Sequence, residues 1–307
     1  MNNLLPVSLM RQIATEHHVV LVDCHSPVLL PRLFADSTHQ AWSCCYVASN
    51  CVLKVCSVES VQKSPFWQGL QHLFAFELIG SLGRYDRVYE QVKAMTPLKI
   101  PRLMAAGSGS VVGGKLGKSG FLLTEYLSGK IIEPSCIDDG YVAQLAHHLA
   151  ALHQNTQATF GPLFAPQSSA DLWGSALVEA LTVLARAQNI DSVVLDRLLE
   201  QAAVIQVESF FPIMPDLRWD QFLVTDTGAL CLIDLDAIVW GPRALELVLL
   251  EYLLDESQLK LFKTIYTQSH SIPDLDAVRE VYRFLLFLMN VLGESDLETW
   301  MVHPLKF

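Results

Sequence analysis

The chain has 307 residues, 51% of them hydrophobic and 17% charged, which is enough core for one large or two moderate domains and excludes a disordered protein. A formal net charge of −11 argues against nucleic acid and anionic lipid as partners and favours a neutral or cationic small molecule. Its longest apolar stretches, Leu245 to Leu254 and Phe284 to Leu292, are interrupted and fall short of the roughly 20 residues a membrane span needs.

The start of the chain has no basic region followed by an apolar run, so a cytoplasmic protein is expected. From Val28 to Cys56 three β-rich runs, VLLPRLF, AWSCCYVA and CVLKVC, predict an antiparallel meander. Trp67, Leu70, Leu73, Phe74, Leu78 and Leu82 recur at helical spacings and predict one or two helices between Pro65 and Val92. Ile100-Pro101 marks an extended re-entry. A short strand, the glycine-rich connection GSGSVVGGKLGKSG and the run FLLTEYL then complete a five-stranded unit.

After Ser128-Gly129 the pattern turns helical, with apolar faces over Tyr141 to Gln154, Leu172 to Ala187, Val193 to Val207, Leu245 to Leu254 and Val278 to Leu292. The expected fold is α+β and bilobal: a small antiparallel β lobe with its hinge over residues 1–127, and a larger helical catalytic and substrate lobe over 128–307. Seven cysteines, an odd set without a CxxC pair, read as small core hydrophobes whose spacings suit no zinc ribbon or finger.

The chemistry concentrates in PDLRWDQFLVTDTGALCLIDLDAIVWGP, between Pro215 and Pro242. Two short apolar strands joined by a Thr225-Asp226-Thr227-Gly228 turn predict a hairpin that brings Asp216, in the preceding loop, near Asp234, where the second strand ends. A carboxylate that accepts a hydroxyl proton beside one that holds Mg2+ is the layout of a phosphoryl-transfer site. Asp216 is the candidate base, and Arg218 the candidate for offsetting charge on the transferring phosphoryl. Gln221 and Asp234 are the candidate metal ligands, since Mg2+ prefers hard oxygen donors.

Upstream, strand alternation places Lys54 among apolar neighbours, where an ammonium needs an anionic partner, and Glu77 is the acid the helical region offers. FLLTEYL ends one lobe and Ser128-Gly129 opens the other, so the carbonyl of Glu125 and the N–H of Leu127 are candidate contacts for a planar base. Gly117-Lys118-Ser119 lacks the earlier glycine of a P-loop and reads as a hairpin turn. His147, His148 and His153 read as half-buried or surface residues of an apolar-faced helix, without chemistry.

VLKV with Lys54, Glu77, Ile100-Pro101, LLTEYLSG, YVAQLAHHLAALHQ, Phe160-Gly161, PDLRWDQF, LIDLDA, Gly241-Pro242, LFKTIY and VYRFLLFLMNVL occur in an order that resembles the aminoglycoside phosphotransferase and choline kinase superfamily. Within it the chain looks most like the fructosamine kinases, over nearly its whole length. The resemblance implies a protein kinase-like fold and ATP as phosphate donor, with Lys54 on its phosphates and Glu77 as the partner of that lysine. It also implies Asp216 as catalytic base and Asp234 as the principal Mg2+ ligand.

Against the family's usual His-Gly-Asp loop, Met214 and Pro215 stand in the first two places, and Gln221 replaces an asparagine. Glu246 matches the aspartate after the Gly-Pro turn. The loop Asp36 to Gln40 has no glycine, which leaves Ser37, Thr38 and backbone amides to cradle phosphate. Two readings follow: an ATP-dependent kinase acting on a hydroxyl of a sugar-amine, aminoglycoside-like or amino-alcohol acceptor, or a catalytically weak kinase-like module that binds nucleotide or scaffolds a partner. A protein kinase is disfavoured, because LIDLDA passes almost directly to Gly241-Pro242 and leaves little room for an activation loop.

Overall fold

A computed structural model describes residues 10–11, 27–31, 37–46, 49–109, 119–188 and 190–307. In it the chain divides into two compact units: Met1–Ser64 with Glu77–Glu90 and Ile100–Ser128, and Pro65–Phe76 with Gln91–Lys99 and Gly129–Phe307. The architecture is α+β, of the bilobal protein kinase-like kind.

The first unit is built on one antiparallel sheet of β1 (Val28–Leu29), β2 (His39–Tyr46), β3 (Ser49–Ser57), β4 (Leu103–Gly109) and β5 (Ser119–Glu125), in the order β1-β2-β3-β5-β4. The five expected strands are all present, although among the described residues of VLLPRLF only Val28 and Leu29 form strand, with the Leu30 N–H donating to the Ala41 carbonyl at 2.8 Å. Strand alternation sorts β3 into two faces. Cys51, Leu53 and Val55 enter a buried cluster with Trp42, Cys44, Phe121 and Leu123, while Lys54 lies on the other face, opposite Ala41 and Leu122.

Helix α1 (Val58–Lys63) follows β3 directly, started by Ser57, whose hydroxyl accepts the Ser60 N–H. Next come α2 (Pro65–Phe74), α3 (Leu78–Ser81) and α4 (Tyr85–Met95) where one or two helices are expected. The reason for the extra break is Ala75, at φ 50, a left-handed conformation that ends α2 and lets the Phe76 N–H reach back to the Leu70 carbonyl.

The second unit holds α2 together with α5 (Asp139–Leu152), α6 (Trp173–Gln188), α7 (Ser192–Ala203), α8 (Arg243–Leu253), α9 (Glu256–Tyr266), α10 (Arg279–Leu288) and α11 (Leu297–Met301). Asp138, Asp191, Asp255 and Asp296 cap α5, α7, α9 and α11 through side-chain oxygens, satisfying N–H groups that a helix start leaves unpaired. Two small sheets complete the unit. One has the order β11 (Leu230–Leu232), β10 (Phe222–Val224), β6 (Lys130–Ile131), and the other β8 (Ser168–Ser169), β7 (Thr159–Pro162), β12 (Val239–Gly241), β9 (Phe211–Ile213).

An aromatic core of Phe74, Phe160, Trp173 and Phe210 joins α2, β7 and α6, with ring centroids 5.1 to 6.5 Å apart. Such edge-on and tilted pairs contribute about 0.5–1.5 kcal/mol each beyond the area they bury. No helix among the described residues is long and apolar enough to cross a membrane.

The cysteines only partly follow expectation. Cys44, Cys51, Cys56 and Cys231 are buried, Cys136 is exposed, and Cys45 is disulfide-bonded. Cys24 lies outside the described residues.

Candidate active site

Backbone pairing fixes the loop that carries Asp216 at both ends. β9 leads in, held against β12, and β10 leads out, held against β11 with Phe222 opposite Leu232. Within the loop the Leu217 N–H donates to the Met214 carbonyl at 3.0 Å, closing a turn around Pro215 and Asp216. Gln221 then donates its Nε2 to the Asp216 carbonyl at 2.9 Å, and the Ile233 N–H donates to the Gln221 carbonyl at 2.9 Å. The hairpin end therefore sets Gln221 beside Ile233, one residue before Asp234.

The hairpin is pinned from outside. Gly228 takes φ 77 in its turn, a conformation that costs glycine little. Gln144 of α5 donates to the Gly228 carbonyl at 3.0 Å and accepts the Leu230 N–H at 2.9 Å. At Gly129, just before β6, a side chain would sit 2.8 Å from the Val224 carbonyl, so glycine is what allows β6 to lie against β10.

Asp216 is half-buried, and its carboxyl is pushed up from 3.8 to about 6, first by burial and then by the charge of Asp234. Arg218 and a hydrogen bond from Gln221 pull the other way. The two acids that the sequence places at one end of the hairpin thus lie close enough to perturb each other. Asp234 is itself half-buried, and its Oδ1 accepts the Asp236 N–H at 3.4 Å.

Arg218, expected to face a phosphoryl group, is engaged by neighbouring residues. Its guanidinium forks onto Asp220, Nε to Oδ1 at 3.1 Å and Nη2 to Oδ2 at 3.4 Å, while Nη1 donates to the Val291 carbonyl at 3.4 Å. Gln221 is also committed to the loop: it is 2% exposed, and its Oε1 faces the Arg218 N–H at 3.4 Å.

In the first unit, Lys54 is half-buried in the central strand. Glu77, expected within a helix, is instead the exposed residue preceding α3, where its carbonyl accepts the Ser81 N–H at 3.0 Å and its carboxylate caps nothing. Ser37 is exposed and donates to the His39 carbonyl at 3.3 Å; Thr38 lies 3.3 Å from the His39 ring and its carbonyl accepts from Ser60 at 3.2 Å. Asp36, Gly117 and Lys118 lie outside the described residues. Glu125 turns its carboxylate to the Arg102 N–H at 3.2 Å, the Tyr126 N–H donates to the Asn50 carbonyl at 3.2 Å, and Leu127 is buried.

Of the acids in the second unit, Glu251 is fully buried and paired with Arg279 at 3.2 Å and Arg283 at 2.6 Å, and Asp255 caps α9. Among the described residues no group of three or more His, Cys, Asp or Glu gathers as metal ligands.

The histidines also differ from expectation. His147 is exposed, but His148 and His153 are buried. His148 meets Thr96 Oγ1 at 2.7 Å, and burial holds its pKa down at about 3, so it is neutral. His153 lies 3.0 Å from Glu246, whose other oxygen accepts the Met214 N–H at 2.7 Å. The sequence did carry a signal for this: His153 falls four residues after Leu149, on the stripe with Leu145.

The model of the phosphotransferase enzyme family, the aminoglycoside phosphotransferase type, matches residues 74–281. The chain belongs to this family. No curated protein sequence matches it.

Solved structures share the fold at low identity. A "Putative fructosamine-3-kinase" from Haemophilus somnus 129PT is 12% identical, with 97% of this chain and 95% of that one covered and a TM-score of 0.59. An aminoglycoside phosphotransferase of the 2″ type, solved with GDP and kanamycin, is 15% identical over 96% and 95%, with a TM-score of 0.55. A macrolide 2′-phosphotransferase from Brachybacterium faecium is 12% identical over 98% and 99%, with a TM-score of 0.53.

Proposed function

We propose that this protein is an ATP-dependent small-molecule kinase that moves the γ-phosphoryl group of ATP to a hydroxyl of a sugar-amine, aminoglycoside-like or amino-alcohol acceptor. The observation that carries the reading is the hairpin that sets Asp216 and Asp234 at one end, close enough for each charge to act on the other, in a chain of the phosphotransferase family. A base titrating there is ionised at neutral pH yet basic enough to take a hydroxyl proton. In the proposed step Asp216 takes that proton as the acceptor oxygen bonds to the γ-phosphorus and the bond to the ADP oxygen breaks.

Lys54, with Glu77 as its partner, is assigned to the donor phosphates, together with Ser37 and Thr38. The backbone of Glu125 and Leu127 is assigned to the base. Asp234 is a hard donor of the kind Mg2+ takes and would hold it, and the Gln221 oxygen would join it only by giving up the Arg218 N–H it now faces. When bound, Mg2+ supplies charge neutralisation along the phosphates. Arg218, fixed by Asp220, is assigned to the charge developing on the transferred group.

The direct test is ATP consumption by the purified protein with Mg2+ or Mn2+ against ketosamines, aminoglycosides and choline analogues. Turnover lost in Asp216→Ala supports the assignment, and no turnover on any acceptor counts against it.

A second reading, a weakly catalytic nucleotide-binding module, is favoured by the engagement of Arg218 with Asp220 and of Gln221 within its own loop. Thermal shift separates the two, because a ligand that binds only the folded state raises its apparent stability. Stabilisation by ATP with Mg2+ that vanishes in Asp234→Ala, without turnover, selects the module.

A further inference from the structure

The turn that leads into β2 is assigned to the donor phosphates, yet residues 36–40 contain no glycine. Glycine commonly lets such a turn bring its backbone amides close to a phosphate. Without it, the direction of the backbone is held from outside the turn. The hydroxyls of the turn are engaged locally: Ser37 Oγ donates to the His39 carbonyl at 3.3 Å, and Thr38 Oγ1 lies 3.3 Å from His39 Nδ1.

The outside hold comes from α1. His39 opposes Cys56 in the β2–β3 ladder, so the turn before β2 arrives beside Ser57, the residue that starts α1. Ser60, in the first turn of that helix, bridges the two. Its hydroxyl oxygen accepts the Ser57 N–H at 3.2 Å and the Ser57 hydroxyl at 3.0 Å, while the Ser60 N–H donates to Ser57 Oγ at 3.1 Å. A hydroxyl has two lone pairs and one proton, so these contacts fix its rotation and leave the proton for acceptors on the far side. Two carbonyls stand there, Ser57 at 2.9 Å and Thr38 at 3.2 Å. The carbonyl of a residue that starts a helix already accepts the first bond of that helix, so the contact that adds a long-range tie is the one to Thr38.

We propose that Ser60 is a positioning residue for nucleotide binding: by donating to the Thr38 carbonyl it sets the backbone of residues 37–39 toward the donor phosphates. The inference rests on the reading of this turn as part of the donor site. It gives the short helix directly after the Lys54 strand a role in holding the turn that faces the same phosphates.

The test compares the full-length wild type with Ser60→Ala, with Ser60→Thr, which keeps the hydroxyl, and with Ser57→Ala, which weakens the start of α1 but leaves the Ser60 hydroxyl beside Thr38. Amide hydrogen exchange of residues 37–41, read without nucleotide, is expected to rise about fivefold in Ser60→Ala and to stay within about twofold of wild type in the other two. In Ser57→Ala the segment that loosens is 58–63. Unchanged exchange of 37–41 in Ser60→Ala overturns the proposal. So does an equal rise in Ser57→Ala, which places the effect in the start of the helix instead of in the tie to Thr38.

Calorimetric titration with ADP and Mg2+ reads the consequence for binding. The Kd is expected to rise about fivefold in Ser60→Ala and to return to within about twofold of wild type in Ser60→Thr. A Kd unchanged in Ser60→Ala overturns the positioning role even where the turn loosens. A wild type that binds no ADP removes the donor-site reading, and the exchange of residues 37–41 still decides whether Ser60 orders the turn.

Discussion

Gln221 donates its side-chain amide to the backbone carbonyl of Asp216 at 2.9 Å while almost fully buried, so the loop is held by a residue five positions away. Removing that amide strands a carbonyl inside the protein. Gln221→Ala is expected to cost about 1–3 kcal/mol of stability, read by urea unfolding without nucleotide. A loss too small to measure would mean that water replaces the amide freely.

Asp216 makes stability depend on pH with a definite sign. The carboxyl ordinarily titrates at 3.8 and here at about 6, so between these values the folded chain holds a proton that the unfolded chain has released. Stability from this group therefore falls as pH rises through the window. Asp216→Asn is expected to be more stable than wild type at pH 7 by on the order of 2 kcal/mol, and to match it below about pH 4. Carboxyl NMR titration checks the cause: Asp234→Asn, which removes the neighbouring charge, is expected to lower the Asp216 pKa.

His148 works in the opposite direction. It is buried and neutral, titrating at about 3 rather than 6.5, so on acidification the unfolded chain takes up a proton that the folded chain refuses. Stability is lost as pH falls from 6.5 toward 3. In His148→Leu the acid arm of the stability curve is expected to flatten by about 2–4 kcal/mol between pH 6.5 and 4, a difference measurable by denaturant titration. Parallel curves for the two proteins would contradict it.

Glu251 anchors the end of the chain. Its carboxylate meets Arg279 and Arg283, while its backbone carbonyl accepts from His303 and Lys306 at 2.8 and 2.7 Å. Glu251→Ala leaves the buried guanidinium of Arg283 without its anion and Arg279 with Asp276 alone, and is expected to cost about 3–5 kcal/mol, with the amide proton exchange of residues 302–307 rising in step.

Ala75 holds a left-handed conformation at φ 50 and is exposed, so a side chain there is a cost without a packing return. Ala75→Gly is expected to raise stability by about 0.5–1 kcal/mol, seen as a higher urea midpoint at constant slope. A lower midpoint would show that the flexibility gained by the unfolded chain outweighs the strain relieved.

Sequence alone was enough for the elements whose signal is local. Alternation in CVLKVC put Lys54 on one face of β3 with Val52 and Cys56, and the turn at Thr225 to Gly228 between two apolar runs made a hairpin with Asp216 before it and Asp234 after it. Those patterns are legible because strand and turn geometry are dictated within a few residues.

What tertiary structure decided were the partners of charged groups. Arg218 finds Asp220 and the Val291 carbonyl, Glu251 finds two arginines of α10, and His153 finds Glu246, which is 93 positions later in the chain. Nothing in local periodicity separates a histidine that only packs from one that lies beside a buried carboxylate. That distinction appears only when helices far apart in sequence close around the same buried charge, because the cost of burying it selects the partner.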